Sequence, residues 1–218
     1  MKPHMIYQVD ETRERILAAA RDMFTKQGLQ EVQMQDVAKS VDISRASLYR
    51  YYEDKFDLAL GVLAVIWKEL NDDWNGRKDA ILAEGKTALD RLELYLKEFW
   101  LSPRYGAQLR FLAEFDAFYS GARIPENFVE RLRSIFTEDS IEFLARTLEE
   151  GIEDASVRGD VNPRIAGITV LNAVRGLQQR LTLRSHALLE TGGREEPTMT
   201  DELVRILIDG LANKQGRP

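Results

Sequence analysis

Arg45, Ser47, Tyr49 and Arg50 crowd into one short stretch, SRASLYRYYEDK, which runs from Ser44 to Lys55. Their chemistry suits nucleic acid. An arginine forks onto guanine O6 and N7, and a serine hydroxyl donates or accepts at base edges or phosphates. Tyrosine hydroxyls and the Lys55 ammonium suit phosphate oxygens, contacts that position a protein on a duplex without reading it. Covalent chemistry has far less to work with. The two histidines, His4 and His186, lie in no metal-ligand spacing, and there is no cysteine. No glycine-rich phosphate loop follows a strand, and no G-x-S-x-G elbow is present. The acidic pairs Glu149–Glu150 and Glu195–Glu196 read as solvated charge. We therefore expect no catalytic residue, no metal site and no cofactor.

Those side chains need a helix to aim them, and the flanking residues supply one. Met34, Val37, Ala38 and Val41 are apolar at i, i+3, i+4 and i+7, one buried face of an amphipathic helix. Ser40-Val41-Asp42-Ile43 breaks the pattern. Asp42 suits a left-handed turn because its short side chain bonds locally to the backbone. Ser44 restarts the chain as an N-cap. Ile43 before the cap and Leu48 at the fourth helical position have the spacing of a hydrophobic staple, which sets the angle of the second helix. Over Arg45–Tyr52 only Ala46, Leu48 and the aromatics can pack, which leaves Arg45, Ser47, Tyr49 and Arg50 outward. Two short helices at a steep angle with such a face describe a DNA-reading helix-turn-helix. An ordinary helical hairpin with a solvated polar face would show the same pattern.

Residues 13–60 resemble the N-terminal domain of the TetR (tetracycline repressor) family. The matching pieces are RERILAAARDMFTKQG (13–28), DVAKSVDIS (36–44), SLYRYYEDK (47–55) and FDLAL (56–60), in the right order and spacing. Three residues depart from the family pattern. Gln33 stands where a Ser or Thr cap is usual, Asp42 replaces the usual turn glycine, and Ala46 replaces a common glycine at the start of the recognition helix. None removes a DNA-facing charge. The base-reading candidates are Arg45, Ala46, Ser47 and Arg50, entered through the Ser44 cap. Tyr49, Tyr51, Lys55 and the Gln33 end of the preceding helix are the phosphate-holding candidates.

Composition argues against a protein that coats nucleic acid non-specifically, though not against a specific binder whose positive charge is local. The net charge of the 218-residue chain is −6 and its pI is about 5.2, whereas coating requires a basic surplus. Around the recognition helix, Lys39, Arg45, Arg50 and Lys55 face Asp42, Glu53 and Asp54, a surplus of one positive charge. Weak non-specific affinity and two copies per site are therefore expected. Hydrophobic residues make up 44% of the chain, enough for a sizeable core. No apolar run reaches transmembrane length and no signal-peptide core is present, so the expectation is a cytoplasmic soluble protein with no membrane partner.

Along the chain, residues Met1–Val9 read as a short arm. A bracing helix over Glu11–Gln27 buries Ile16, Leu17, Ala20, Met23 and Phe24 and ends at Gly28. Asp54 caps a connecting helix that reaches about Trp74, and Asn71–Lys86, with Gly76 and Gly85, reads as a linker. Further helices are expected near Thr87–Leu101, Arg104–Tyr119, Glu126–Glu153, Arg164–Leu189 and Thr200–Asn213, with Thr191–Pro197 a loop and Pro163 at a first helical position. Strand alternation is absent. The fold class is all-α: a three-helix helix-turn-helix DNA-binding domain over 1–55, a connecting helix over 54–74, and a helical ligand-binding and dimerisation domain over 75–218.

The functions of the second domain come from the resemblance, which implies a ligand cavity between helices and a dimer built from the last two long helices. Phe111, Phe115, Phe118 and Tyr119 share one helical face, with Trp100 upstream and Trp67 and Trp74 on the connecting helix. Each alone reads as core. Together they suit an apolar or aromatic small-molecule inducer, with Gln108, Arg110, Glu114 and Asp116 as nearby polar groups. Ile168, Leu171, Val174, Leu177 and Leu181, then Leu203, Ile206, Leu207 and Leu211, are the dimer face, with Gly167 and Gly176 allowing close approach. The reading is a ligand-responsive regulator, most simply a repressor that binds a palindromic operator as a homodimer. A helical protein-interaction module that kept the helix-turn-helix as scaffold is the alternative.

Overall fold

The computed structural model describes residues 3–136, 140–184, 187–190 and 198–214. The described chain is all-α. Its helices are α1 (Pro3–Gln27), α2 (Met34–Ser40), α3 (Arg45–Leu48), α4 (Lys55–Leu82), α5 (Ala88–Tyr95), α6 (Gly106–Phe118), α7 (Phe128–Arg133), α8 (Ser140–Glu153), α9 (Pro163–Arg184) and α10 (Thr198–Leu211). A π-helical turn, Leu96–Trp100, continues α5, and the bridge between Val157 and Ala212 is an isolated extended pairing.

The chain forms two compact units. The first holds Met1–Leu70 and Ala107–Thr137, the second Asn71–Gly106 and Glu138–Pro218. Helix α6 and helix α7 thus belong to the same unit as α1, α2 and α3, although the sequence alone assigns everything after 74 to one domain. In the first unit, Ile16, Ala20 and Phe24 of α1 are buried with Val37 and Ala38 of α2, Leu48 of α3 and Leu58 and Val62 of α4. Phe111 of α6 stacks on Phe24 at 6.1 Å, and Phe115 lies against Phe56 and Phe128 at 6.3 Å each.

In the second unit, Thr87 and Asp90 cap α5 reciprocally at 3.1 and 3.0 Å. Its Ala88 N–H donates to the Asp154 carboxylate at 2.7 Å. Gly167 lets α9 lie close to α8: a Cβ there would sit 3.1 Å from the Leu144 Cβ. Asn162 accepts from the Ile165 N–H at 3.0 Å, so Pro163 takes the first helical position as expected.

Three expectations for the chain path give way. The N-terminal segment is helical from Pro3, not from Glu11. Helix α4 does not stop at Trp74 but runs on to Leu82. Its Gly76 has open space around it and costs only helix propensity, while Trp74 is buried and Asp73 pairs with Arg77 one turn on. The single helix expected over Glu126–Glu153 is two, because α7 ends at Arg133 and the chain turns through Ser134 and Ile135. Helix α9 ends at Arg184. His186 and the expected Thr191–Pro197 loop lie outside the described residues.

Candidate nucleic-acid interface

The turn between α2 and α3 is built by local chemistry. Asp42 takes the left-handed conformation at φ 56. The Ile43 N–H returns to the Ala38 carbonyl at 3.0 Å and the Asp42 N–H to that of Lys39 at 3.2 Å, the paired bonds of a Schellman ending with aspartate in place of glycine. Arg15 of α1 reaches the Val41 carbonyl at 2.8 Å and so fixes the end of α2. Ser44 then caps α3, its hydroxyl accepting from the Ser47 N–H at 3.0 Å. At the start of α2, the Gln33 N–H donates to the Asp36 carboxylate at 3.2 Å, so that end is held by Asp36 from within the helix.

Helix α3 is shorter than the sequence suggests. It covers one turn, Arg45–Leu48, and continues as a tightened turn in which the Arg50 N–H bonds Ser47 at 3.2 Å and the Tyr51 N–H bonds Leu48 at 2.9 Å. Leu48 and Tyr52 face the core. Gln33, Ser44, Arg45, Ala46, Tyr49 and Arg50 are exposed, and Ser47, Tyr51 and Lys55 are half-buried. The Arg45 guanidinium donates to the Tyr49 hydroxyl at 3.3 Å and sits 5.4 Å from the centre of that ring, which orders both side chains on one face. The Arg50 guanidinium has no hydrogen-bond or ion-pair partner among the described residues. Lys55 differs from the others. Its ammonium donates to the Gln30 carbonyl at 3.1 Å and lies over the Phe118 ring at 5.2 Å, and burial lowers its pKa. Tyr52 is core: burial pushes its phenol up to about 12, with the Arg13 guanidinium 5.0 Å from its ring centre.

The aromatic residues singled out for a ligand do not form one cluster. Trp67, Phe111, Phe115, Phe118 and Tyr119 belong to the first unit, Trp100 to the second. Phe111 and Phe115 are fully buried in ring stacks, Tyr119 packs on Phe56 at 4.8 Å, and Trp67 meets Phe136 edge-on at 4.7 Å. Phe118 lies between two cations, Lys55 and Arg123. Trp100 donates to the Tyr95 hydroxyl at 3.2 Å beside Phe99 and Trp74, an aromatic group around the π-helical turn whose full membership the sequence reading missed. Its signal was present in the spacing of Leu92, Tyr95, Phe99 and Trp100. Gln178 of α9 donates to the Trp100 carbonyl at 2.6 Å, closing that turn.

The same unit holds a dense ion cluster. Arg104 forks onto Asp73 at 3.0 and 2.7 Å, Arg77 adds a bond at 3.0 Å, and the Tyr105 hydroxyl donates at 2.5 Å. Arg104 first, then Tyr105, hold the Asp73 carboxyl well below the usual carboxylate range. An open apolar groove of about 360 Å³ lies between the start of α9 and α10, lined by Ile165, Thr169, Val170, Ile206, Leu207 and Leu211. Ile165 and Ile206 are more than half exposed there. Among the described residues no group of His, Asp and Glu is placed to hold a metal ion, and no helix is long and apolar enough to cross a membrane.

This geometry has counterparts. Residues 16–62 match the sequence model of bacterial regulatory proteins, tetR family. An HTH-type transcriptional regulator of Staphylococcus aureus is 28% identical over 78 residues, which span 33% of this chain and 42% of the relative. A TetR-family transcriptional regulator from Agrobacterium tumefaciens superposes with a TM-score of 0.64 at 17% identity, covering 93% of this chain and 98% of that one. Thermus thermophilus FadR, a TetR-family repressor crystallised with lauroyl-CoA, superposes at 0.59 with 21% identity over 94% and 98% of the two chains. Residues 16–62 thus carry the N-terminal pattern of tetR-family bacterial regulatory proteins, and the chain as a whole shares its all-helical fold with these solved regulators.

Proposed function

We propose that this protein is a ligand-responsive transcriptional repressor that binds a palindromic operator as a homodimer. The observation that carries the reading is the outer face of the capped α3 turn, where Arg45, Tyr49 and Arg50 are exposed and Ser47 half-buried, away from the core that Leu48 and Tyr52 anchor. Arg45, Ala46, Ser47 and Arg50 read base edges in the major groove. Tyr49, Tyr51, Lys55 and the Gln33 end of α2 lie along the phosphates, with Ser44 capping the turn that enters the groove. Two copies place two α3 turns in successive grooves, about 34–36 Å apart. The dimer forms through α9 and α10, a choice supported by the exposed Ile165 and Ile206.

The inducer is a small apolar or aromatic molecule held in the helical second half, the region of Trp100, in keeping with the acyl ligand of the Thermus regulator. Ligand favours a dimer with wrongly spaced reading turns and releases the operator by its differential affinity for the two states. The test is selection of bound duplexes from a random library by purified protein at moderate salt. A palindrome with half-sites one helical turn apart is expected. If no sequence is enriched, even after unfolding and refolding to strip bound ligand, the helix-turn-helix is scaffold only.

A further inference from the structure

The chain enters the reading segment through a short turn, Gly28-Leu29-Gln30, whose Leu29 N–H and Gln30 carbonyl are bonded by side chains from distant helices. Gly28 ends α1 in the left-handed region at φ 96, and Leu29 is fully buried. The Leu29 N–H donates at 2.8 Å to the carboxylate of Glu114, eighty-five positions along the chain on α6. The other oxygen of that carboxylate accepts from Arg110 at 3.0 Å, and the Glu114 side chain is only 15% exposed. A Cβ on Gly28 would lie 3.3 Å from the carboxylate, so turn and acid are fitted to each other. One residue on, the Gln30 carbonyl accepts from Lys55, whose ammonium rests on the ring of Phe118, one turn past Glu114 on α6. Both grips on the turn therefore depend on α6, and the turn leads directly into α2.

We propose that Glu114 is a positioning residue for operator reading: by holding the Leu29 N–H it fixes the entry of α2, and through α2 the angle at which α3 meets the bases. This rests on the repressor reading above. It gives Glu114 a different task from the ligand cavity for which its sequence position suited it. A mispositioned α3 loses base contacts, which need bidentate geometry, and keeps contacts to a continuous phosphate backbone. Specific and non-specific binding should accordingly separate. A general loss of folded protein would lower both together.

The test compares the wild type with E114A and E114Q in the full-length chain. Glutamine keeps an acceptor for Leu29 while losing the Arg110 ion pair. Leu29 amide exchange is expected to accelerate at least about tenfold in E114A relative to neighbouring amides, and to stay slow in E114Q. Affinity for the selected palindrome is expected to fall about tenfold in E114A, to recover in E114Q, and to stay unchanged on a scrambled duplex. Equal losses on both duplexes, or an E114Q as weak as E114A, would overturn the positioning role. Unchanged Leu29 exchange in E114A would overturn the clamp whatever the DNA results. A wild type that enriches no duplex removes the repressor reading and the positioning role with it, and the exchange result then stands as a statement about the fold alone.

Discussion

In the first unit Arg45 and Arg50 project from the α3 turn with no carboxylate against them, while in the second Arg77 and Arg104 close on Asp73 and Tyr105. The residue type is the same and the use is opposite. A guanidinium already forked onto a carboxylate has its planar donors filled, and redirecting it costs the bonds it holds. One held only by a neutral tyrosine hydroxyl at 3.3 Å and a ring face can turn to a guanine or a phosphate for little. The contrast separates an arginine free to meet a ligand from one committed to the fold, without any knowledge of the ligand.

The largest effect expected is on DNA. Arg45→Ala should cost about 1–3 kcal/mol on the selected operator if it forks onto guanine, with the melting temperature unmoved. An equal, small loss on every duplex would make it a phosphate contact. Asp73→Ala should do the reverse, leaving two guanidinium groups and a buried tyrosine hydroxyl without their acceptor. A loss of about 1–2 kcal/mol in denaturant unfolding is expected. Its pH dependence has a definite sign. Because the folded carboxyl lies below its ordinary value, its contribution is complete above the normal carboxylate range and is lost as pH falls below about 4 toward the depressed value. A mutant whose acid unfolding follows that of the wild type would show that the cluster contributes nothing to stability. Gly28→Ala, at φ 96 and against Glu114, should destabilise by about 1 kcal/mol in thermal unfolding. Smallest is Gly76→Ala, which should stabilise by about 0.5–1 kcal/mol, because the position is helical, exposed and open. Destabilisation there would contradict a continuous α4.

What the sequence made legible was what neighbours in sequence decide. The Ser44 cap, the left-handed Asp42 and the buried Leu48 follow from chemistry within five residues, and the all-α class follows from periodicity. What it hid was decided at a distance. Gly76 and its polar neighbours look like a linker until Trp74 is buried against Tyr95 and Phe99 and Asp73 meets Arg104. The break after Arg133 carries no proline or glycine. Periodicity places the aromatics of α6 on one face, but nothing local says that this face packs on Phe24 and Phe56. Glu114 looked like a pocket acid because its partner, a backbone N–H eighty-five residues earlier, leaves no mark on sequence.

The groove between the start of α9 and α10 bears on dosage. With Ile165 and Ile206 left in water, a lone chain exposes apolar surface that a second copy would cover. In the homodimer we propose, stability rises with the protein's own concentration by mass action. While dimers are scarce, operator occupancy follows the square of the number of chains, so a modest fall in synthesis empties the operator more than proportionately. Two exposed isoleucines would thereby give the regulated gene a threshold in repressor copy number, independent of any inducer.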